Sequence, residues 1–203
     1  MSKQNPSQWE QITAENPDHS RWYIERFRAM AADGRDLAGE ARLIDAMADR
    51  GARILDAGCG PGRVAGHLYR QGHRVVGVDV DPELIAAAEA DHPGPSYLVA
   101  DLAELDLPAH GVAEPFDLIV CAGNVMTFLA DDSQVQVLDG FARHLAEDGR
   151  VVIGFGAGRG YDFAQFLSDA LSVRLTPQHT FATWDLRPFT DDSDFLVAVL
   201  ARG

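Results

Sequence analysis

Glycine falls at every second position in Gly58-Cys59-Gly60-Pro61-Gly62, directly after the run Ile54-Leu55-Asp56-Ala57. Glycine lets the backbone turn tightly and lets a ligand approach main-chain atoms that a Cβ would shield. Any β-to-α turn can use glycines for structural reasons alone. Three within five residues at the end of a first strand point instead to a bound molecule. A second acid strengthens that reading. The run Val75-Val76-Gly77-Val78 ends on Asp79, where a carboxylate can accept both hydroxyl hydrogen bonds of a ribose. Its plain alternative is a solvated loop acid or a cap for the helix that opens at Asp81. With Asp56 at the first strand end, these residues describe a nucleoside site.

The glycine spacing narrows the nucleoside. Dinucleotide fingerprints read G-x-G-x-x-G, with the pyrophosphate over the helix N-terminus. Here the third glycine comes one residue earlier, which disfavours a nicotinamide-dependent oxidoreductase. S-adenosylmethionine carries no pyrophosphate, so such a loop has only to fit its methionine part.

From Leu43 to Phe155 the chain resembles the class I S-adenosylmethionine-dependent methyltransferases, especially the compact bacterial ones. The resemblance implies a first cofactor motif made of Asp56, Gly58, Cys59, Gly60 and Gly62. It implies that Asp79 binds the ribose, with Val80 beside the adenine. Asp101, followed by Leu102, matches the acid near the adenine amino group, and Phe116 to Cys121 matches the fourth-strand motif. Gly149-Arg150-Val151-Val152-Ile153 matches the next strand. Chemistry fits these roles: the adenine amino group donates a hydrogen bond, so an acceptor such as Asp101 is useful there. A cationic sulfonium is also well tolerated among acids.

Methyl transfer is a displacement at an already activated carbon, so alignment is the main task of the protein. A general base is needed only where the nucleophile must lose a proton. Asn124, in Gly123-Asn124-Val125-Met126 after the fourth strand, is a candidate for orienting an acceptor; otherwise it is a turn residue. The Asn/Asp-Pro-Pro-Tyr of DNA and protein methyltransferases is absent from this position. Arg159 and Tyr161, in a glycine-rich loop after the fifth strand, suit an anionic or aromatic acceptor, unless that loop is mere surface. Trp22 and Tyr23 belong to an N-terminal helix that lids the active site in related enzymes, or else pack as amphipathic core. Arg63 could meet the cofactor carboxylate, with a solvated first-turn arginine as the plainer reading. His19 and His179 are the candidate general bases. Cys121-Ala122-Gly123 offers no acid to grip a divalent ion, so no metal is expected.

These residues need elements to hold them. Helices are expected at 18–32 and 37–48, the second with Ala41, Ile44, Ala46 and Met47 at mostly helical spacing. A strand–helix rhythm follows, with strands at 52–57, 74–78, 96–100, 116–122 and 150–155. The intervening helix at 62–71 turns Val64, Leu68 and Tyr69 inward, and Asp81-Pro82-Glu83 is a strong helix start. A helix at 162–171 leads to two final strands, 180–186 and 195–201. They are joined too closely for a crossover and must pair antiparallel. The expected fold is α/β: a Rossmann-like three-layer sandwich on a mostly parallel seven-stranded sheet ending in an antiparallel hairpin. Residues 1–50 would form a helical lid and 51–203 the cofactor domain, together one compact unit.

Composition sets the remaining bounds. Asp and Glu total 31 against 17 Lys and Arg, a net charge of -14. That balance opposes binding to nucleic acid, which needs a basic face, and to anionic membranes. The expected partner is a small molecule. The two cysteines, Cys59 and Cys121, make no zinc or disulfide framework. Met1 to Gln11 lacks an apolar signal core, and a reduced cytoplasmic setting is the default. The function implied is methyl transfer to O or N of a small acceptor. A non-catalytic module that only binds the cofactor is the principal alternative.

Overall fold

The computed structural model describes residues 5–203, so Met1 to Gln4, which open the expected lid, lie outside the described residues. The chain begins with three helices, α1 (Gln8–Glu15), α2 (His19–Ala32) and α3 (Gly39–Met47). Strands and helices then alternate through β1 (Arg53–Ala57), α4 (Arg63–Arg70), β2 (Arg74–Asp79), α5 (Pro82–Asp91) and β3 (Ser96–Val99). The second half comprises β4 (Phe116–Cys121), α6 (Gln134–His144), β5 (Leu145–Gly156), α7 (Phe163–Ser172), β6 (Leu175–Phe181) and β7 (Phe195–Arg202).

The strands form one seven-stranded sheet in the order β3-β2-β1-β4-β5-β7-β6. The pairs through β5 are parallel, while β7 runs antiparallel to both β5 and β6. Alternation along the strands fills two cores. Leu55, Val76, Ile119 and Val151 face one side, with Phe141 from α6 and Phe166 from α7. Ile54, Val75, Leu118 and Val152 face the other, with Ile44 from α3 and Leu68 from α4. A sheet buried on both faces explains why its central strands read as nearly continuous apolar runs. The strand order reverses between β1 and β4, and a crevice opens there at the carboxyl ends of the strands.

The structure corrects the expected elements in four places. The polar opening contains a helix, α1, started by a reciprocal Ser7–Glu10 capping box. Tyr69 is 43% exposed rather than inward, because the buried stripe of α4 follows Val64, Ala65 and Leu68. The strand preceding the hairpin spans Leu175–Phe181, not 180–186. Pro177 falls within it, and β6 is the sheet edge, where a missing N–H is tolerated. Thr183 to Leu186 instead forms a turn, with Leu186 at φ +67°. The strand paired with β4 begins at Leu145, earlier than the expected 150, with an irregular lead-in opposite Phe116–Leu118.

Candidate active site

A cavity of about 420 Å³ occupies the crevice at the strand ends. Its floor comes from the first β-to-α turn, where Gly58, Cys59 and Gly60 all line the space. The Gly58 and Cys59 amides both donate to the Val78 carbonyl, which ties this turn to the end of β2. Gly60, at φ +53°, has only the Tyr23 ring within 4 Å of where its Cβ would stand, so its backbone is open to the cavity.

Three carboxylates line the same cavity: Asp56, Asp79 and Asp101. Asp79 accepts from the Gly60 amide at 2.8 Å and from the Asp81 amide at 3.0 Å. A carboxylate has about four acceptor sites, so capacity remains for a ligand. Burial pushes the Asp79 carboxyl up to about 6, against the pull of those amides. Burial likewise pushes Asp56 up to about 7, opposed by the charge of Arg63, while its Oδ2 accepts from the Ala65 amide at 2.9 Å. Asp101 caps the turn Leu102–Glu104 through Ala103, and Val80 and Leu102 complete this side.

The opposite wall is built by α1 and α2. Trp9, Tyr23, Arg26 and Phe27 line it, facing Phe128 from the turn after β4. The Trp9 ring meets Tyr23 at 5.3 Å and Phe128 at 6.0 Å, both edge to face. Asp81 anchors this wall: its Oδ2 accepts from the Trp9 indole at 2.8 Å and from the Ser20 hydroxyl, while its Oδ1 caps α5. Arg63 also lines the cavity, but it is held by Glu40 at 2.8 and 2.5 Å and lies over the Phe27 ring. It is a paired, half-buried arginine, not the solvated one its helix position suggested.

After β4, Asn124 adopts φ +67°, a left-handed conformation that Asn tolerates better than most residues. Its Oδ1 accepts from the Gly156 amide at 2.8 Å, joining the ends of β4 and β5. That leaves its side-chain NH₂ as the donor available at the cavity. Arg159 reaches the lining from the exposed loop after β5. Neither Arg26 nor Arg159 has an ion-pair partner among the described residues.

Six expected site residues lie outside the lining. Gly62 stands at φ +79°, with Tyr97 Oη 2.7 Å and Ala88 Cβ 2.8 Å from where its Cβ would be, so it serves the turn and the helix packing. Cys121 is fully buried in the sheet core. Trp22 is 53% exposed, on the outer face of α2 beneath Arg26. Tyr161 stacks on Phe155 and donates to Asp169 at 2.8 Å. His19 packs beside Trp9 behind the wall. His179 sits exposed on the edge strand β6, stacked with Phe181. Trp9 is the principal lining residue that went unassigned. The Ser7-x-x-Glu10 capping signature was the available signal for the helix that carries Trp9.

Known proteins resemble this chain in sequence and fold. A methyltransferase domain family model matches residues 54–149. The chain is 52% identical to the crystal structure of a TehB-like SAM-dependent methyltransferase from Corynebacterium glutamicum, covering 93% of this chain and 100% of that one at a TM-score of 0.87. It is 35% identical over 152 residues to a trans-aconitate 2-methyltransferase from Azoarcus sp., covering 74% of this chain and 53% of that protein. It is 33% identical over 116 residues to a magnesium-protoporphyrin O-methyltransferase from Rhodobacter capsulatus, 54% of this chain and 49% of that protein. The chain thus spans about half the length of the curated relatives it matches. The likeness to the Corynebacterium structure covers 93% of this chain, and by it the chain belongs to the S-adenosylmethionine-dependent methyltransferases.

Proposed function

We propose that this chain transfers the methyl group of S-adenosylmethionine to an oxygen or nitrogen of a small anionic or aromatic acceptor. The observation that carries this reading is the division of charge in one cavity. Asp56, Asp79 and Asp101 lie at the strand ends, and the unpaired Arg26 and Arg159 reach in from α2 and the loop after β5.

The residues present fit the cofactor. Asp79 would hold the ribose hydroxyls, Asp101 the adenine amino group with Val80 and Leu102 beside the ring, and the open backbone at Gly60 the methionine part. When bound, the cofactor supplies an electrophilic methyl on a sulfonium. The protein's own work is alignment, and no general base is required for an acceptor that arrives deprotonated. The Trp9–Tyr23–Phe128 wall would sandwich a planar acceptor and exclude water. Arg26 and Arg159 would draw in its negative charge, and the Asn124 NH₂ would fix its orientation. Residues 5–50 act in this reading as the lid. A small acceptor also agrees with the net charge of -14, which opposes nucleic acid. No helix among the described residues is long and apolar enough to cross a membrane. A reducing, cytoplasmic setting goes with the free, buried thiols of Cys59 and Cys121, which burial pushes up and so renders inert.

Calorimetric titration with S-adenosylhomocysteine, followed by methyl incorporation across a panel of small acceptors, tests the proposal. Saturable binding and turnover lost in Asp79→Ala would support it. Binding without methyl incorporation into any acceptor would favour the module that only binds cofactor.

A further inference from the structure

A second cleft, of about 380 Å³, opens between α2, the 33–38 connection, α4 and the end of α5. Its charge runs against that of the chain. Four arginines line it, Arg28, Arg35, Arg63 and Arg70, together with His67 and His92. The single acid in the lining is Asp91, and Arg28 already chelates its carboxylate at 2.8 and 3.1 Å. Arg63 is held by Glu40. Arg35 and Arg70, at the exposed rim, have no ion-pair partner among the described residues. The floor is apolar, from Ile24, Phe27, Ala31, Leu37 and Pro61.

A chain of net charge -14 has acids to spare for neutralising its arginines. Leaving two guanidinium groups uncompensated around an apolar floor creates a local positive field that concentrates anions. Guanidinium forks match tetrahedral or planar oxyanions, and two of them match a dianion. The Nδ1 of His92 is buried without a partner, 2.9 Å from where a Cβ on Gly66 would stand. Burial and the neighbouring Arg70 hold His92 below its ordinary range, consistent with a neutral ring.

We infer that this cleft is a second binding site, for a phosphate monoester carried on a small apolar body, with Arg35 and Arg70 gripping the phosphate and Phe27 and Leu37 receiving the body. Phe27, Pro61 and Arg63 also line the larger cavity, so the two sites share a wall. The inference does not depend on which acceptor is methylated.

Phenyl phosphate is the probe, titrated calorimetrically into the full chain at low ionic strength with the larger cavity saturated by S-adenosylhomocysteine. Saturable binding with Kd below about 1 mM is expected. The double variant Arg35→Ala/Arg70→Ala should weaken it by at least about tenfold while S-adenosylhomocysteine binds as in wild type, which also reports that the variant folds. Benzyl alcohol should not bind. Three outcomes would overturn the inference: no phenyl phosphate binding at millimolar concentration, equal binding by the double variant, or benzoate binding as tightly as the phosphate.

Discussion

The indole Nε1 of Trp9 donates to Asp81 Oδ2 across 2.8 Å, linking the first helix of the chain to a turn 72 residues away. Asp81 also sends its own amide to Asp79 Oδ1 at 3.0 Å and caps α5 through Oδ1. One buried aspartate thus sets both the seat of the aromatic wall and the orientation of the acid proposed to hold the ribose. Charge-assisted hydrogen bonds of this kind are among the stronger ones.

Trp9→Phe keeps an aromatic ring but removes the donor. It should cost about 1–2 kcal/mol in the docking of α1 and accelerate amide exchange across α1 and the start of α2. Hydrogen exchange with mass spectrometry reads this directly. Exchange unchanged from wild type would mean that the wall is held by ring packing alone.

Asp79 yields a pH dependence of binding. With its carboxyl near 6, the group is ionised at neutral pH and protonated in mild acid. In its proposed role, protonation would remove the charge that strengthens hydrogen bonds from the ribose hydroxyls. Affinity for S-adenosylhomocysteine should therefore fall as the pH drops through about 6, approaching tenfold per pH unit below it. Asp79→Ala should weaken binding by about 1–3 kcal/mol at neutral pH, and Asp79→Asn should flatten the acid limb. Calorimetry from about pH 5 to pH 8 makes the comparison.

Asp56 affects stability in the same pH range. Its carboxyl lies near 7 in the fold, against an ordinary value of 3.8. As the pH rises above about 4 the unfolded chain ionises while the folded chain keeps its proton, so stability is lost progressively until about pH 7. The scale is about 1.4 kcal/mol per pKa unit. Asp56→Asn, which can still accept from the Ala65 amide, should escape this loss. The Tm of the variant relative to wild type should rise between about pH 5 and pH 8 in the ligand-free protein; parallel curves would refute the assignment.

Arg159 and His179 separate site from surface. Arg159→Ala should leave S-adenosylhomocysteine affinity unchanged and raise the KM of an anionic acceptor by about tenfold or more. His179→Ala, on the exposed edge strand, should change neither. Steady-state kinetics with the acceptor found by the panel would distinguish them, and a loss of turnover in His179→Ala would require a different site.

Gly62→Ala probes the turn. The substitution forces φ +79° on a residue with a Cβ and drives that Cβ against Ala88 and the Tyr97 hydroxyl. A loss of about 2–3 kcal/mol is expected, roughly 4–12 °C in Tm for a chain of this size. Thermal unfolding checks it.

The β–α rhythm, the glycine turn after β1 and the acid at the end of β2 were all legible from residue order. They depend on local physics: alternating burial along strands, backbone freedom at Gly58 and Gly60, and the N-cap at Asp81, each set within a few residues. The terminal hairpin was legible for the same reason, although its first strand lay earlier, since nothing local marks an edge strand that tolerates Pro177. The identity of the cavity wall was a different matter. Trp9 and Trp22 both lie on amphipathic helices, and their own surroundings do not say which one faces inward. That choice follows from how α1 and α2 dock on α5, through Asp81 to Trp9 and Ser20 and through Arg28 to Asp91, contacts spanning 61 to 72 residues of chain. The same docking carries His19 behind the wall, and sheet order carries His179 to the far edge. A side chain reaches a site by packing against distant elements, and residue spacing along the chain records only the near ones.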